Sequence, residues 1–174
     1  MPRRLGLIAC LLVATASMGM AFQADARPLS PPWSPATPFS SETATVTIDG
    51  HSVDAEIADT GELRERGLSY RDDLGRDDGM LFVYRTASPR SFWMFEMRFC
   101  LDIIWIADGT VIGAAENACP AAAPGDDIPT FRSPEPAQYV LEVNAGWMAD
   151  HDVRSGADVV IEVPPSVETG EQPD

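Results

Sequence analysis

The chain has 174 residues, 45% of them hydrophobic, and sets 27 acidic side chains against 12 basic ones for a net charge of −15. That balance excludes nucleic acid as an expected partner, because binding it depends on cationic side chains that displace condensed counterions. The length fits one domain with a real core and leaves no room for a second.

Residues 1–26 read as a secretory signal peptide: Arg3 and Arg4, an apolar run from Leu5 to Met20, then Ala24-Asp25-Ala26, with cleavage expected near Ala26. The run is shorter than the ~20 residues of a membrane-spanning helix and no second one follows, so no transmembrane span is expected in the mature chain. A periplasmic or secreted protein is the expectation. Leu7-Ile8-Ala9-Cys10 is a poor lipoprotein box, with too few apolar residues before Cys10, and the Arg3-Arg4 pair alone is a weak twin-arginine sign. Residues 27–43, RPLSPPWSPATPFSSET, carry five prolines and read as an extended linker.

One folded domain is expected over 44–163. Threonine alternates with apolar residues from Ala44, and after the turn pair Asp49-Gly50 the alternation resumes through Val53, Ala55 and Ile57, predicting a β-hairpin. Asp59 or Thr60 can cap a short helix that ends at Gly67. A charged loop follows, then strand-like runs GMLFVYR, SFWMFEMR and LDIIWIA, the last turning at Asp108-Gly109 into TVIGAAEN. Residues 118–136 read as a Pro- and Ala-rich loop, AQYVLEVN as a strand, AGWMADH as a turn or two of helix, and DVVIEV as a closing strand. Residues 164–174 read as a disordered tail. Many strands and two brief helices predict a mostly-β, compact single domain, either a β-barrel or a β-sandwich.

Once Cys10 leaves with the signal peptide, Cys100 and Cys119 form an even pair in an oxidising compartment, which favours a disulfide over two free thiols. The acidic pairs Asp72-Asp73 and Asp77-Asp78 do not fit a calcium loop, and His51 and His151 are far apart in sequence, reading as solvent-facing or capping residues. No metal set, cofactor motif, nucleophile elbow or phosphate loop is legible.

The stretch SFWMFEMRFCLD, residues 91–102, mixes aromatic and sulfur side chains with Glu96, Arg98 and Asp102. Taken as a strand, it sets Phe92, Met94, Glu96 and Arg98 on one face and Trp93, Phe95, Met97 and Phe99 on the other. Asp102, inside LDIIWI, needs a partner if buried: Arg98 or Arg71, or backbone N–H groups.

Thr60–Arg71 (TGELRERGLSYR), Asp77–Tyr84 (DDGMLFVY), SFWM, LDIIWI and Tyr139–Gly146 (YVLEVNAG) occur in the order in which they stand in the bacterial domain-of-unknown-function family 192, which the chain resembles over nearly the whole folded domain. The resemblance implies a compact, mostly-β exported fold and no established activity. The commoner family form continues FWMKNT with a proline before Leu-Asp. This chain instead has Phe95, Glu96 and Met97, with Cys100 at the proline position, in the manner of an M-R-F-P variant. Ligands inferred from the Lys-Asn form therefore do not transfer.

Three function classes stay open. The first is an exported binding or accessory module holding a small polar molecule, a sugar or a carboxylate, among Arg71, Trp93, Glu96, Arg98 and Asp102. The second is a small hydrolase using Glu96 and Asp102 as an acid and base pair. The third is a structural module or one that binds a periplasmic protein partner, with Trp33 and the proline-rich arm as its contact. Whether the protein is an enzyme is left open; the binding module is favoured narrowly.

Overall fold

The computed structural model describes residues 42–167. The expected signal peptide, most of the expected linker and residues 168–174 of the expected tail lie outside the described residues. Among the described residues, nine strands and two short helices follow in chain order: β1 Thr43–Ile48, β2 His51–Ala58, α1 Gly61–Arg66, β3 Asp78–Ser88, β4 Ser91–Trp93, β5 Leu101–Ala107, β6 Thr110–Ala118, β7 Thr130–Arg132, β8 Ala137–Asn144, α2 Trp147–Asp150 and β9 Val159–Glu162.

Seven strands form one sheet in the order β6-β5-β8-β3-β2-β1-β9, and β4 pairs with β7 in a separate two-stranded ribbon. Every neighbouring pair in the large sheet is antiparallel except β2 with β3, and the crossover between those two carries α1. The sheet curls into a half-barrel, and its outer strands meet at one end through an antiparallel bridge between Thr110 and Asp158. There the Val159 N–H donates to the Gly109 carbonyl at 2.8 Å and the Asp49 N–H to the Asp158 carbonyl at 3.1 Å. Both hairpin turns at that end are of the kind that matches strand twist, with positive φ at Asp49 and Gly50 and at Asp108 and Gly109. Of the two expected all-β architectures, a curled barrel-like sheet is the one that forms.

Alternation along the strands divides the buried side chains between two faces. The concave face holds Val46, Ile48, Val53, Ile57, Leu81, Val83, Ile104, Ile106, Leu141 and Val143, closed by Trp147 and Met148 of α2 and by Val167. Residues 164–167 thus include a turn, with the Val167 N–H on the Pro164 carbonyl at 3.0 Å, rather than beginning a free tail. The convex face is buried too. Met80, Phe82, Ile103, Trp105 and Val140 pack there against Leu68, Phe92, Met94 and Phe131, which arrive from α1's exit and from the β4-β7 ribbon.

Two local expectations change. SFWMFEMR is not one strand: β4 stops at Trp93, and the chain turns at Phe95-Glu96, with Glu96 at φ 53°. Polar bonds from another segment fix that turn, since the Ser69 hydroxyl donates to the Phe95 carbonyl at 2.8 Å and the Tyr70 N–H to the Glu96 carbonyl at 3.0 Å. The region 118–136 contains β7, which the ribbon partner β4 recruits. Of the two residues expected as its cap, Thr60 caps α1, its hydroxyl accepting from the Leu63 N–H at 3.2 Å. Cys100 and Cys119 are joined in a disulfide.

Candidate functional site

Asp102 is 0% exposed on the concave face of β5, and backbone amides occupy both of its carboxylate oxygens. Oδ1 accepts from the Asn117 N–H at 2.9 Å, and Oδ2 from the Gly146 and Met148 N–H groups at 3.1 and 3.0 Å. Neither arginine considered for it is its partner. Arg71 makes a two-pronged ion pair with Glu56 of β2 at 2.7 and 2.5 Å, and Arg98 pairs at the surface with Asp72. The carboxylate therefore ties β5 to β6 and to the first turn of α2. A bonding pattern this complete is what a buried carboxylate needs in place of its hydration.

Glu96 is exposed and borders a shallow groove of about 540 Å³ with Pro120, Ala121 and Ile128 of the following loop. No described cavity is lined by both Glu96 and Asp102. His51 and His151, distant in sequence, are neighbours in space with ring centroids 4.6 Å apart; His151 caps α2 and its Nδ1 lies 2.8 Å from the Trp147 carbonyl. Among the described residues, no group of three or more His, Cys, Asp or Glu side chains could hold a metal ion. No described helix is long and apolar enough to cross a membrane.

Of the five residues singled out by sequence, only Trp93 borders the cavity that has a buried ionisable floor. This cavity, of about 360 Å³, lies on the convex face between α1 with its exit, β3, β4 and β8. Leu68, Phe82, Phe92 and Met97 form apolar wall, Trp93 stands 50% exposed at the rim, and Arg66, Ser69, Tyr84 and Glu142 supply polar groups. Each is placed by its element. On β8, Val140 and Glu142 face the convex side while Leu141 and Val143 face the concave core, and Glu142 pairs with Met80 of β3 and Ile103 of β5. Gly79 permits that approach, since a Cβ there would lie 2.8 Å from the Glu142 carbonyl and 2.8 Å from a Val53 methyl.

Glu142 is 5% exposed, and burial among apolar neighbours pushes its carboxyl up to about 8, so it holds its proton at neutral pH. Among the described residues its carboxyl has no hydrogen-bond or ion-pair partner. Arg66 is likewise 5% exposed. Tyr84 is flanked by two guanidinium groups, with Arg90 3.4 Å and Arg64 4.9 Å from its ring centroid, contacts of the cation–π kind. Burial raises the Tyr84 pKa, against the lowering influence of Arg90 and Arg64. Sequence reasoning missed Glu142, Arg66 and Ser69. In YVLEV the glutamate falls on the face opposite the obvious core, where a polar residue reads as solvent-facing.

No curated protein matches the chain. Two solved structures resemble it. One, a protein of unknown function from Novosphingobium aromaticivorans DSM 12444, is 32% identical over 68% of this chain and 83% of its own, with a TM-score of 0.61. The other, from Sinorhizobium meliloti 1021 and described as a candidate transcription regulator, is 35% identical over 70% of this chain and 94% of its own, with a TM-score of 0.60. Residues 44–161 match the profile of a family described as Uncharacterized ACR, and the chain belongs to that family, DUF192.

Proposed function

We propose that this protein is an exported module that binds a small ligand in the convex-face cavity. One observation carries the reading: Glu142 is a buried carboxyl that lines a cavity and meets no partner among the described residues. An acid kept in an apolar wall without a hydrogen bond costs stability. A ligand that supplies an acceptor would recover part of that cost, and the tryptophan at the rim is a residue type that anchors ligands. The pair Glu96 and Asp102 receives no such support, because Asp102 is fully bonded to the backbone and shares no described cavity with Glu96. The regulator description of the Sinorhizobium protein is not carried over, since a chain with net charge −15 is poorly suited to a phosphate backbone.

Export rests on the order of charged, apolar and small residues in 1–26 and is consistent with the Cys100–Cys119 disulfide, a bond kept in oxidising compartments. The mature chain is expected in the periplasmic fraction with Arg27 at its N-terminus; a full-length cytoplasmic product would refute export. For binding, a fragment set of small acids, amides, alcohols and sugars is titrated into the isotope-labelled protein. Backbone amide shifts clustered at Leu68, Ser69, Tyr84 and Trp93 are expected. Shifts confined to other surfaces, or none, would remove the reading.

A further inference from the structure

Apart from the convex-face cavity, we infer that His51 and His151 form a two-imidazole site for a divalent first-row transition-metal ion, with Cu(II) its tightest occupant. The fold brings the two side chains together, with ring centroids 4.6 Å apart and planes inclined at 57°. That tilt is not flat stacking. Metal–nitrogen bonds of about 2.0–2.1 Å, with each ring centre about 1.2 Å behind its nitrogen, place the centroids of two neighbouring ligands about 4.5–5.2 Å apart. The two rings therefore already stand at the spacing of two ligands on one ion.

His151 is oriented by groups that leave one of its nitrogens open. Its ring lies against Trp147, 4.5 Å between centroids, and its Nδ1 is 2.8 Å from the Trp147 carbonyl. A carbonyl only accepts, so Nδ1 carries the proton and Nε2 keeps its lone pair. A ring that donates one N–H to a backbone carbonyl is the arrangement that supports metal-ligating histidines. Trp147 is itself buried, which holds the ring from behind. His51 opens β2 directly after the Asp49-Gly50 turn, and that turn is fixed by two bonds to Asp158, each 3.1 Å. Neither the His51 ring nor Nε2 of His151 has a hydrogen bond or ion pair among the described residues. No third His, Cys, Asp or Glu of the described residues joins the pair, so water completes the coordination. Imidazole ligands without carboxylates select a transition metal over calcium or magnesium, and the affinity order among such ions puts Cu(II) first. Arg76 and Asp150 line the recess beside His151 with opposite charges, while the net charge of −15 draws cations to the protein as a whole.

The test adds Cu(II), and separately Zn(II), to the mature oxidised protein in a non-coordinating buffer. A single Cu(II) per chain is expected, bound about tenfold or more tighter than Zn(II), with pulsed EPR detecting two coordinated imidazoles. Paramagnetic broadening should centre on the amides of Gly50, His51, Trp147 and His151 and leave Leu68 and Trp93 sharp. Because the ion ties the β1-β2 turn to α2, the melting temperature should rise by about 5–10 °C at about 100 times the dissociation constant. His51 is exposed, so His51→Ala leaves the fold intact; it should retain one imidazole and bind Cu(II) about tenfold or more weakly. A single imidazole in the wild type, or a Cu(II) complex unchanged in His51→Ala, would overturn the site. Broadening confined to the chain's N-terminus would show an adventitious ion only and would overturn it equally. Either result leaves the convex-face reading standing, since that cavity and the recess beside His151 share no lining residue.

Discussion

Replacing Asp102 by alanine should cost this protein much of its stability, and the structure shows why. The three amides of Asn117, Gly146 and Met148 converge on one carboxylate, and the Met148 bond is wholly buried. A buried donor stripped of its acceptor costs roughly 1–3 kcal/mol, and the two part-buried amides recover some of their loss from water, so the total is about 3–5 kcal/mol. The milder change Asp102→Asn would keep one acceptor oxygen, best used by Gly146 and Met148, but would present an NH2 to the Asn117 N–H. The cost of that variant is about 2–3 kcal/mol. Against a typical total of roughly 5–15 kcal/mol, either change is large, and Asp102→Ala should lower the melting temperature by about 10–20 °C. Thermal and urea unfolding under oxidising conditions measure this, and hydrogen exchange should find the three amides newly unprotected. A folded Asp102→Asn protein losing less than about 1 kcal/mol, with those amides still protected, would refute the reasoning.

Three further outcomes follow from the same geometry. Because Glu142 titrates near 8 in the folded protein and near 4.5 when unfolded, the native state holds the extra proton between those values. The contribution of Glu142 to stability should be greatest below the lower value, fall by at most about 1.4 kcal/mol per pH unit between the two, and level off above the upper one. Glu142→Gln should flatten that slope, as pH-dependent unfolding curves would show. Loss of the disulfide, through a Cys100→Ser, Cys119→Ser double variant, should cost about 3 kcal/mol, the chain-entropy value for a loop closed across 19 residues. Gly79→Ala should cost about 1–3 kcal/mol by overpacking against the Glu142 carbonyl, and a denaturation midpoint equal to wild type would contradict the close approach of β3 and β8.

The strands that alternate or run apolar were legible in the sequence. β1, β2, β5, β6 and β8 fall within a residue or so of the spans read from periodicity, and both hairpin turns lie at their Asp-Gly pairs. SFWMFEMR misled because its alternation continues past Trp93, whereas the backbone is turned there by bonds from Ser69 and Tyr70, residues more than twenty positions earlier. β7 was invisible for a related reason: three residues in a Pro-rich loop become a strand only when β4 lies alongside.

The candidate site was less legible than the fold. A carboxylate within LDIIWI is conspicuous, and its need for partners was read correctly, but arginines were as plausible on sequence as the amides that bond it. Glu142 gave the opposite signal. An acid flanked by valines in a half-buried strand looks solvated until a second layer covers that face, and the covering residues come from 61–69 and 91–97. Periodicity within one strand carries no information about such a layer.

The most direct measurement is the titration of the Glu142 side-chain carboxyl, followed by carbon NMR in the mature oxidised protein. The structure predicts a midpoint of about 8, raised by the burial of the carboxyl. A midpoint in the ordinary glutamate range, about 4, would contradict both the buried acid and the site built on it.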